Sequence, residues 1–151
     1  MRYVEALTAT TLILLLVLVL IFVRREYLVR RGAVGMSMRL TSLVRGRGWA
    51  PGLGRFTGDE LLWYRLFSLG LRPRRVLVRR DLRVDARRAP EGPERLAVPE
   101  SWVVLHCTAT ARSAYSRERT ENVVDLALAE RTVTGFMSWI ESAPPRALQR
   151  P

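Results

Sequence analysis

The sequence has no lysine, one cysteine and one histidine among its 151 residues. With Cys107 as the single thiol, an intramolecular disulfide is excluded, which fits a reducing compartment. One histidine and one cysteine do not make a zinc site, and no other cluster of metal ligands accompanies them. All 25 basic residues are arginine, a pattern that coding bias in a GC-rich genome explains and that favours bidentate contacts with phosphates and carboxylates.

Sequence templates for catalysis are also missing. No Gly-x-Gly-x-x-Gly motif follows a predicted strand, and Asp81 and Asp85 lie among arginines, as solvated salt-bridge partners do. His106 and Cys107 are neighbours on a predicted strand, so their side chains point to opposite faces and do not meet at one substrate atom. We therefore predict that the protein is not an enzyme and uses neither a cofactor nor a metal.

What the sequence does contain is one long apolar run, Ala6 to Val23, with no charge and no helix breaker. Its 18 residues make a helix of about 27 Å, close to the thickness of the hydrocarbon core of a bilayer. Apolar residues cover the whole circumference from Leu12 onwards, which disfavours a buried core helix. A cleaved signal is disfavoured because Arg2 is offset by Glu5 and because two arginines follow the run in place of a small-x-small site. Residues 1–31 are predicted to be an uncleaved transmembrane anchor with a basic juxtamembrane segment.

Arginines near the span predict its orientation. The N-terminal side has only Arg2, whereas the C-terminal side has Arg24, Arg25, Arg30, Arg31 and Arg39. The positive-inside rule then places the N-terminus outside and the C-terminal domain in the cytoplasm, at the cell inner (plasma) membrane.

The net charge of +11 is confined to one region. Residues 24–95 hold 18 arginines against seven acidic residues, while the segments before and after are neutral overall. A tethered domain of this kind is drawn to an anionic leaflet by about 1 kcal/mol per arginine near the surface. A solvated face shaped by coding bias and an acidic protein partner are the alternatives, and nucleic acid is not expected. The candidate contacts to anionic lipid headgroups or to a partner are Arg24, Arg25, Arg30, Arg31, Arg72, Arg74, Arg75, Arg79 and Arg80.

Short apolar stretches separated by turn signals predict six or seven strands after the anchor. A polar loop is predicted over 110–121, and the aromatic side chains of Trp63, Tyr64 and Phe67 are predicted to be core. Eight segments are the candidates for these strands: 36–44, 49–56 (glycine-rich and irregular), 61–69, 75–78, 82–86, 95–98, 102–108 and 122–128.

A C-terminal helix is predicted from the spacing of Val133, Phe136, Met137 and Ile140, with Thr132 as N-cap. We expect its apolar stripe to pack on the sheet, with a grip on a partner as the alternative. The predicted fold class is α+β: a transmembrane helix, then a small, mainly antiparallel β domain closed by this helix. That layout is typical of pleckstrin-homology-like (PH-like) barrels or sandwiches, although another small β-barrel or an α+β sheet has the same spacing. The domain is expected over 35–145 and a flexible tail over 146–151.

Several motifs resemble an uncharacterised actinobacterial family of small single-pass membrane proteins, over nearly the whole chain. The most specific is the run Leu-Trp-Tyr-Arg-Leu-Phe-Ser-Leu at 62–69. The resemblance implies an anchor plus a soluble domain of unknown function, encoded often beside the genes of the proton-translocating ATP synthase, and it brings no catalytic residues. The remaining matching stretches are 45–49, 55–56, 60–61, 72–73 and 134–141, the last before Pro144.

Two functions follow as expectations. The first is a non-enzymatic, membrane-anchored cytoplasmic adaptor whose basic β domain docks on the anionic inner leaflet or on a membrane protein complex. The alternative is an accessory or assembly factor of a membrane complex such as the ATP synthase, which the transmembrane and C-terminal helices would contact.

Overall fold

The computed structural model describes residues 2–40, 48–113 and 119–142. A long helix, α1 (Arg2–Arg30), precedes seven strands, and a second helix, α2 (Glu130–Glu141), follows them. The strands are β1 (Ala33–Arg39), β2 (Trp49–Phe56), β3 (Glu60–Arg65), β4 (Arg75–Val78), β5 (Arg83–Arg88), β6 (Trp102–Ser113) and β7 (Arg119–Ala129). Two short 3₁₀ helices lie between strands, η1 (Arg79–Asp81) and η2 (Gly92–Leu96).

The strands form one antiparallel sheet in the order β4-β3-β2-β1-β7-β6-β5. β6 is 12 residues long. One of its edges pairs with β7, and the other edge pairs with two strands in turn. Its first half pairs with β5, with Val84 opposite Cys107, and its last residues pair with β4, with Leu77 opposite Ala111. The sheet therefore curls back on itself, and alternate residues of each strand face an enclosed core.

The core shows this alternation. Met36 and Met38 of β1, Trp63 of β3 and Leu126 of β7 are fully buried in one apolar cluster. β2 has a glycine where the Met36 side chain packs, and a Cβ added at Gly54 would collide with that side chain. The irregularity predicted for 49–56 is not seen, since β2 pairs with β1 in continuous register from Trp49 to Arg55.

α2 closes one end of the curled sheet. Val133 and Phe136 are buried in the core cluster, and Trp139 Nε1 donates a hydrogen bond of 2.7 Å to the carbonyl oxygen of Thr57. The prediction that the apolar stripe packs on the sheet is confirmed. The predicted N-cap is wrong, because the helix begins at Glu130 directly after β7 and Thr132 lies inside it.

Three other boundaries differ from the predictions. The chain leaves the sheet after Arg65, so 66–69 is a loop although its composition is that of a buried strand. Most of the loop predicted over 110–121 belongs to β6 and β7, because backbone pairing continues from Thr110 to Arg112 regardless of side-chain polarity. The strand predicted over 95–98 is replaced by η2, where Pro93 and a capping box between Glu91 and Glu94 favour a helical turn.

α1 is long and apolar enough to cross a membrane, and no residue of its most apolar stretch is buried by the described part of the chain. Its last turns are packed on the domain, with Leu28 buried against Ala33, Leu53 and Tyr64. The helix continues past the apolar run and breaks at Gly32, which has a φ of 81° that favours glycine. The domain therefore sits directly on the end of the apolar helix.

Candidate functional site

Arg24, the first residue after the apolar run, joins α1 to the domain. Its Nε donates a hydrogen bond of 2.8 Å to the carbonyl oxygen of Gly70, and its Nη1 reaches the carbonyl oxygens of Arg65 and Leu66 at 3.2 and 3.4 Å. The residue is 6% exposed. Arg24 was a candidate lipid contact, but the structure engages its guanidinium inside the protein, where it holds the β3–β4 connection against α1.

The connection that Arg24 holds is the apolar loop, residues Leu66–Leu71. Three of its side chains are exposed: Phe67 by 71%, Leu69 by 53% and Leu71 by 64%. The prediction that Phe67 is core is wrong, whereas Trp63 and Tyr64 are buried as predicted. Phe67 lies in an apolar stretch of the sequence, but the strand ends at Arg65, before it.

Exposed arginines precede and follow this loop in the sequence, and another lines the cleft beside it. Arg25 lines a cleft of about 480 Å³ together with Phe67, Arg65 ends the strand before the loop, and Arg72 and Arg74 follow it. We call Arg25, Arg65, Arg72 and Arg74 the basic collar. Arg25, Arg72 and Arg74 are among the predicted contacts, and Arg65 is not. The position of Arg65 directly before the apolar loop is the feature of the sequence that could have indicated it.

Other predicted contacts lie farther along α1. Arg30 pairs with Glu26 at 3.1 Å, and the Arg31 guanidinium lies 4.4 Å from the centre of the Tyr27 ring. Arg30 is five residues beyond Arg25 of the collar, which is about 7.5 Å along the helix axis. Arg30 and Arg31 are exposed and lie farther from the apolar run than Arg25 does.

The last three predicted contacts lie on β4 and η1. Arg75 is half-buried at the start of β4. Arg79 is buried and donates hydrogen bonds of 2.7 Å to Gly58 O and Ser142 Oγ. Arg80, the next residue, is exposed. η1 follows β4 in the chain and contacts the turn that joins β2 to β3, which is at the opposite end of β3 from the apolar loop. The structure thus gives Arg79 an internal role and places Arg80 away from α1.

A second charged site lies on the outer face of the sheet, and we call it the outer-face cluster. Asp125 of β7 is opposite His106 of β6 and next to Arg39 of β1. Its carboxylate lies 2.9 Å from Arg39 Nη1 and 2.6 Å from His106 Nδ1. Three outward-facing residues on adjacent strands therefore form one row.

The connection between β5 and β6 covers this row. Glu94 of η2 is buried and accepts hydrogen bonds of 2.6 and 2.9 Å from the two Nη atoms of Arg88, while Arg39 lies 3.8 Å away. The hydrogen bond from Arg88 holds the pKa of Glu94 below its ordinary value although burial opposes it, and the same bond raises the pKa of Arg88. A cleft of about 510 Å³ opens over Arg39, Arg88, Glu94, His106 and Asp125.

His106 and Cys107 face opposite sides of the sheet, as predicted. Cys107 is fully buried in the core, and burial raises the pKa of its thiol to about 12, so it is protonated at neutral pH. Among the described residues that line the cleft, none has a hydroxyl or thiol. In the part of the chain that the structure describes, no group of three His, Cys, Asp or Glu residues is placed to hold a metal ion. The outer-face cluster is thus a set of compensated ion pairs with one half-exposed imidazole.

Comparison with known proteins identifies the family. The model of a family described as "Protein of unknown function (DUF2550)" matches residues 11–146. The chain belongs to the DUF2550 family. A relative in Mycobacterium tuberculosis strain H37Rv, the uncharacterized protein Rv1312, is 38% identical over 128 residues, which cover 83% of this chain and 82% of the relative. The uncharacterized protein ML1147 of Mycobacterium leprae is 36% identical over 130 residues, with the same shares of the two chains.

These matches confirm the predicted resemblance to an uncharacterised actinobacterial family. The link between DUF2550 proteins and the ATP synthase stays a prediction. Sequence reasoning about this DUF2550 member missed the outer-face cluster, because Arg39 and Asp125 are 86 residues apart and meet only through the pairing of β1 with β7.

Proposed function

We propose that this DUF2550 protein is a single-span membrane protein whose domain docks on the anionic inner leaflet through the basic collar. The observation that carries the proposal is the contact between α1 and the β3–β4 connection: Arg24 binds the carbonyl oxygens of this connection, and Arg25 lines the cleft beside it. Arg65, Arg72 and Arg74 precede and follow the same connection in the sequence and are exposed. If α1 spans the bilayer, the collar lies at the level of the lipid headgroups. Phosphate groups there accept hydrogen bonds from guanidinium groups in the bidentate geometry that arginine favours.

The attachment of α1 to the domain supports this placement. Arg24 and Leu28 are both buried against the domain, so the last turns of α1 and the sheet are packed together rather than joined by a linker. The collar is therefore held near the membrane, where each arginine contributes about 1 kcal/mol of attraction to an anionic surface. This attraction fades over a Debye length of about 8–10 Å, so Arg30 and Arg31 contribute less.

The proposal places the domain in the cytoplasm as a non-enzymatic adaptor. Arg2 is the only arginine before the apolar run, and the collar and the juxtamembrane arginines follow it. The asymmetry favours retention of the C-terminal side in the cytoplasm. Seven antiparallel strands that curl until β6 meets β4, followed by a helix in the open end, support a PH-like architecture for the domain.

The test measures lipid selectivity around the full chain. The protein is reconstituted with phosphatidylcholine, and the relative association of spin-labelled phosphatidylglycerol and phosphatidylcholine is measured by electron paramagnetic resonance. We expect the wild type to prefer phosphatidylglycerol severalfold. The triple variant R25Q/R65Q/R72Q should lose most of this preference.

A matched control changes the same amount of charge elsewhere. Arg80, Arg83 and Arg131 are exposed and lie outside the collar, so R80Q/R83Q/R131Q should keep the wild-type preference. No preference in the wild type, or equal loss in both triple variants, would contradict docking by the collar.

The alternative function, an accessory factor of a membrane complex such as the ATP synthase, gains no support from α2. The apolar stripe that would grip a partner is packed in the core through Val133 and Phe136. The apolar surface of α1 is the remaining candidate for such a contact. Recovery of synthase subunits with the full chain purified in mild detergent would favour this alternative.

A further inference from the structure

We infer that the apolar loop Leu66–Leu71 is a second membrane contact, a wedge that enters the hydrocarbon edge of the inner leaflet beside α1. Its partner is the acyl chains of the lipids. The inference rests on the proposed span, because the position of α1 sets the depth of the loop. It goes further than docking by charge, since it places backbone and apolar side chains of the domain below the headgroups.

The first observation is the chemistry of the loop. Its sequence is Leu-Phe-Ser-Leu-Gly-Leu, without a charged residue, and it lies between Arg65 and Arg72. Phe67, Leu69 and Leu71 are each more than half exposed. Three large apolar side chains in six residues make an exposed patch of the kind that marks an interaction site rather than ordinary surface.

The second observation is the position of the apolar loop along the axis of α1. Phe67 shares a cleft with Leu18, Val19 and Phe22 of α1. These residues lie two to six positions before Arg24, which is about 3–9 Å deeper along the helix axis. The loop thus reaches alongside the last two turns of the apolar run, at the depth to which interfacial apolar faces are buried in the boundary between headgroups and acyl chains.

The third observation concerns the backbone of the loop. Irregular backbone at membrane depth is stable only where the protein itself satisfies its polar groups. Arg24 donates to the carbonyl oxygens of Arg65, Leu66 and Gly70, and the Gly70 N–H donates to Ser68 Oγ at 3.3 Å. A buried guanidinium at this position has a clear use in a low-dielectric environment, because it replaces the water that would otherwise solvate those carbonyls.

The shape of the surface favours acyl chains as the occupant. Apolar clefts of about 480 and 350 Å³ flank the loop, the second between Leu20, Val23 and the side chains of Leu69 and Leu71. Apolar residues of α1 line both clefts, and Arg25 of the collar lines the first of them. A folded protein partner would have to occupy the same space as the lipids that surround α1.

Site-directed spin labelling of the full chain in vesicles tests the wedge. In a Cys107→Ala background, single labels are placed at Leu69→Cys, at Leu15→Cys within the apolar run, and at Leu96→Cys. Leu96 is a control of matched chemistry, an apolar side chain 93% exposed on η2. Collision rates with oxygen, which concentrates in lipid, and with a water-soluble nickel chelate are measured at each label.

We expect the labels at Leu69 and Leu15 to collide mainly with oxygen, and the label at Leu96 to collide mainly with nickel. A water-exposed label at Leu69 together with a lipid-exposed label at Leu15 would overturn the wedge and leave the span intact. Water exposure at both sites would overturn the proposed span. A label at Leu69 shielded from both reagents would overturn the lipid contact in favour of a protein partner.

Discussion

The junction between α1 and the apolar loop and the outer-face cluster both hold arginine side chains against the protein, but they balance the charge differently. Arg24 is held by neutral carbonyl groups, so its charge is not cancelled, and the nearby collar adds further positive charge. Arg39 and Arg88 are held by Asp125 and Glu94, so their charge is cancelled locally. The comparison shows that an arginine count alone does not locate a binding surface, because the partner of each guanidinium decides whether its charge is available.

The largest expected effect is a loss of unfolding free energy when the outer-face cluster loses one of its charges. Asp125→Asn removes the charge opposite Arg39 and leaves a largely buried guanidinium partly uncompensated, which costs about 3 kcal/mol. Denaturant unfolding of the full chain in mild detergent, followed by tryptophan fluorescence, measures this loss. Asp85→Asn, at an exposed carboxylate on β5, is the control and should change the free energy of unfolding by less than about 0.5 kcal/mol. Equal losses would mean that the cluster carries no special stability.

The second effect concerns the junction between α1 and the apolar loop. Arg24→Gln removes the guanidinium that donates hydrogen bonds to carbonyl oxygens of the β3–β4 connection. A carbonyl group that stays buried without a hydrogen-bond donor destabilises the fold by about 1–3 kcal/mol. We expect the apolar loop to detach, so a spin label at Leu69 should become more mobile. Arg25→Gln, at the exposed neighbour, should leave the mobility unchanged. An unaltered spectrum in Arg24→Gln would show that the loop is held by other contacts.

The third effect is a pH dependence that belongs to the outer-face cluster. The pKa of Glu94 is lowered in the folded protein by its hydrogen bond to Arg88, so the unfolded state binds protons more readily. The stabilisation is complete above the ordinary pKa of glutamate, about 4.3, and is lost as pH falls through the lowered value. The unfolding free energies of wild type and Glu94→Gln should differ at pH 7 and converge at acidic pH. A constant difference would contradict this linkage.

The smallest effect is a difference in salt sensitivity. Raising salt from about 0.05 to 0.5 M shortens the Debye length from well over 10 Å to less than 5 Å, so the preference of the collar for anionic lipid should fall severalfold. The buried ion pairs of Glu94 are screened far less, and the free energy of unfolding should change by less than about 0.5 kcal/mol. Lipid selectivity that persists at high salt would indicate a contact that does not depend on the charge of the collar.

The fold could be predicted from local pattern where one physical signal dominates. The uniform apolar run predicts α1, and the spacing of Val133, Phe136 and Ile140 predicts a helix packed on a sheet. The apolar loop could not be predicted in this way. Leu-Phe-Ser-Leu has the composition of a buried strand, and only the end of β3 at Arg65 shows that these side chains are exposed.

The candidate site could be predicted only in part. The excess of arginine in residues 24–95 indicates a basic surface, but it does not distinguish Arg72, which is exposed, from Arg79, which is buried. The outer-face cluster depends on contacts between residues far apart in sequence, such as Arg39 with Asp125. These contacts are set by strand register, which short-range patterns do not determine.

The most direct test of the account is the side of the membrane on which the domain lies. A cysteine at Leu96, in the Cys107→Ala background, is exposed to solvent and reacts with a membrane-impermeant maleimide wherever the reagent reaches it. For cells expressing the full chain, we expect labelling in sealed inverted membrane vesicles and none in intact cells. Labelling of intact cells would place the collar outside and contradict docking on the inner leaflet.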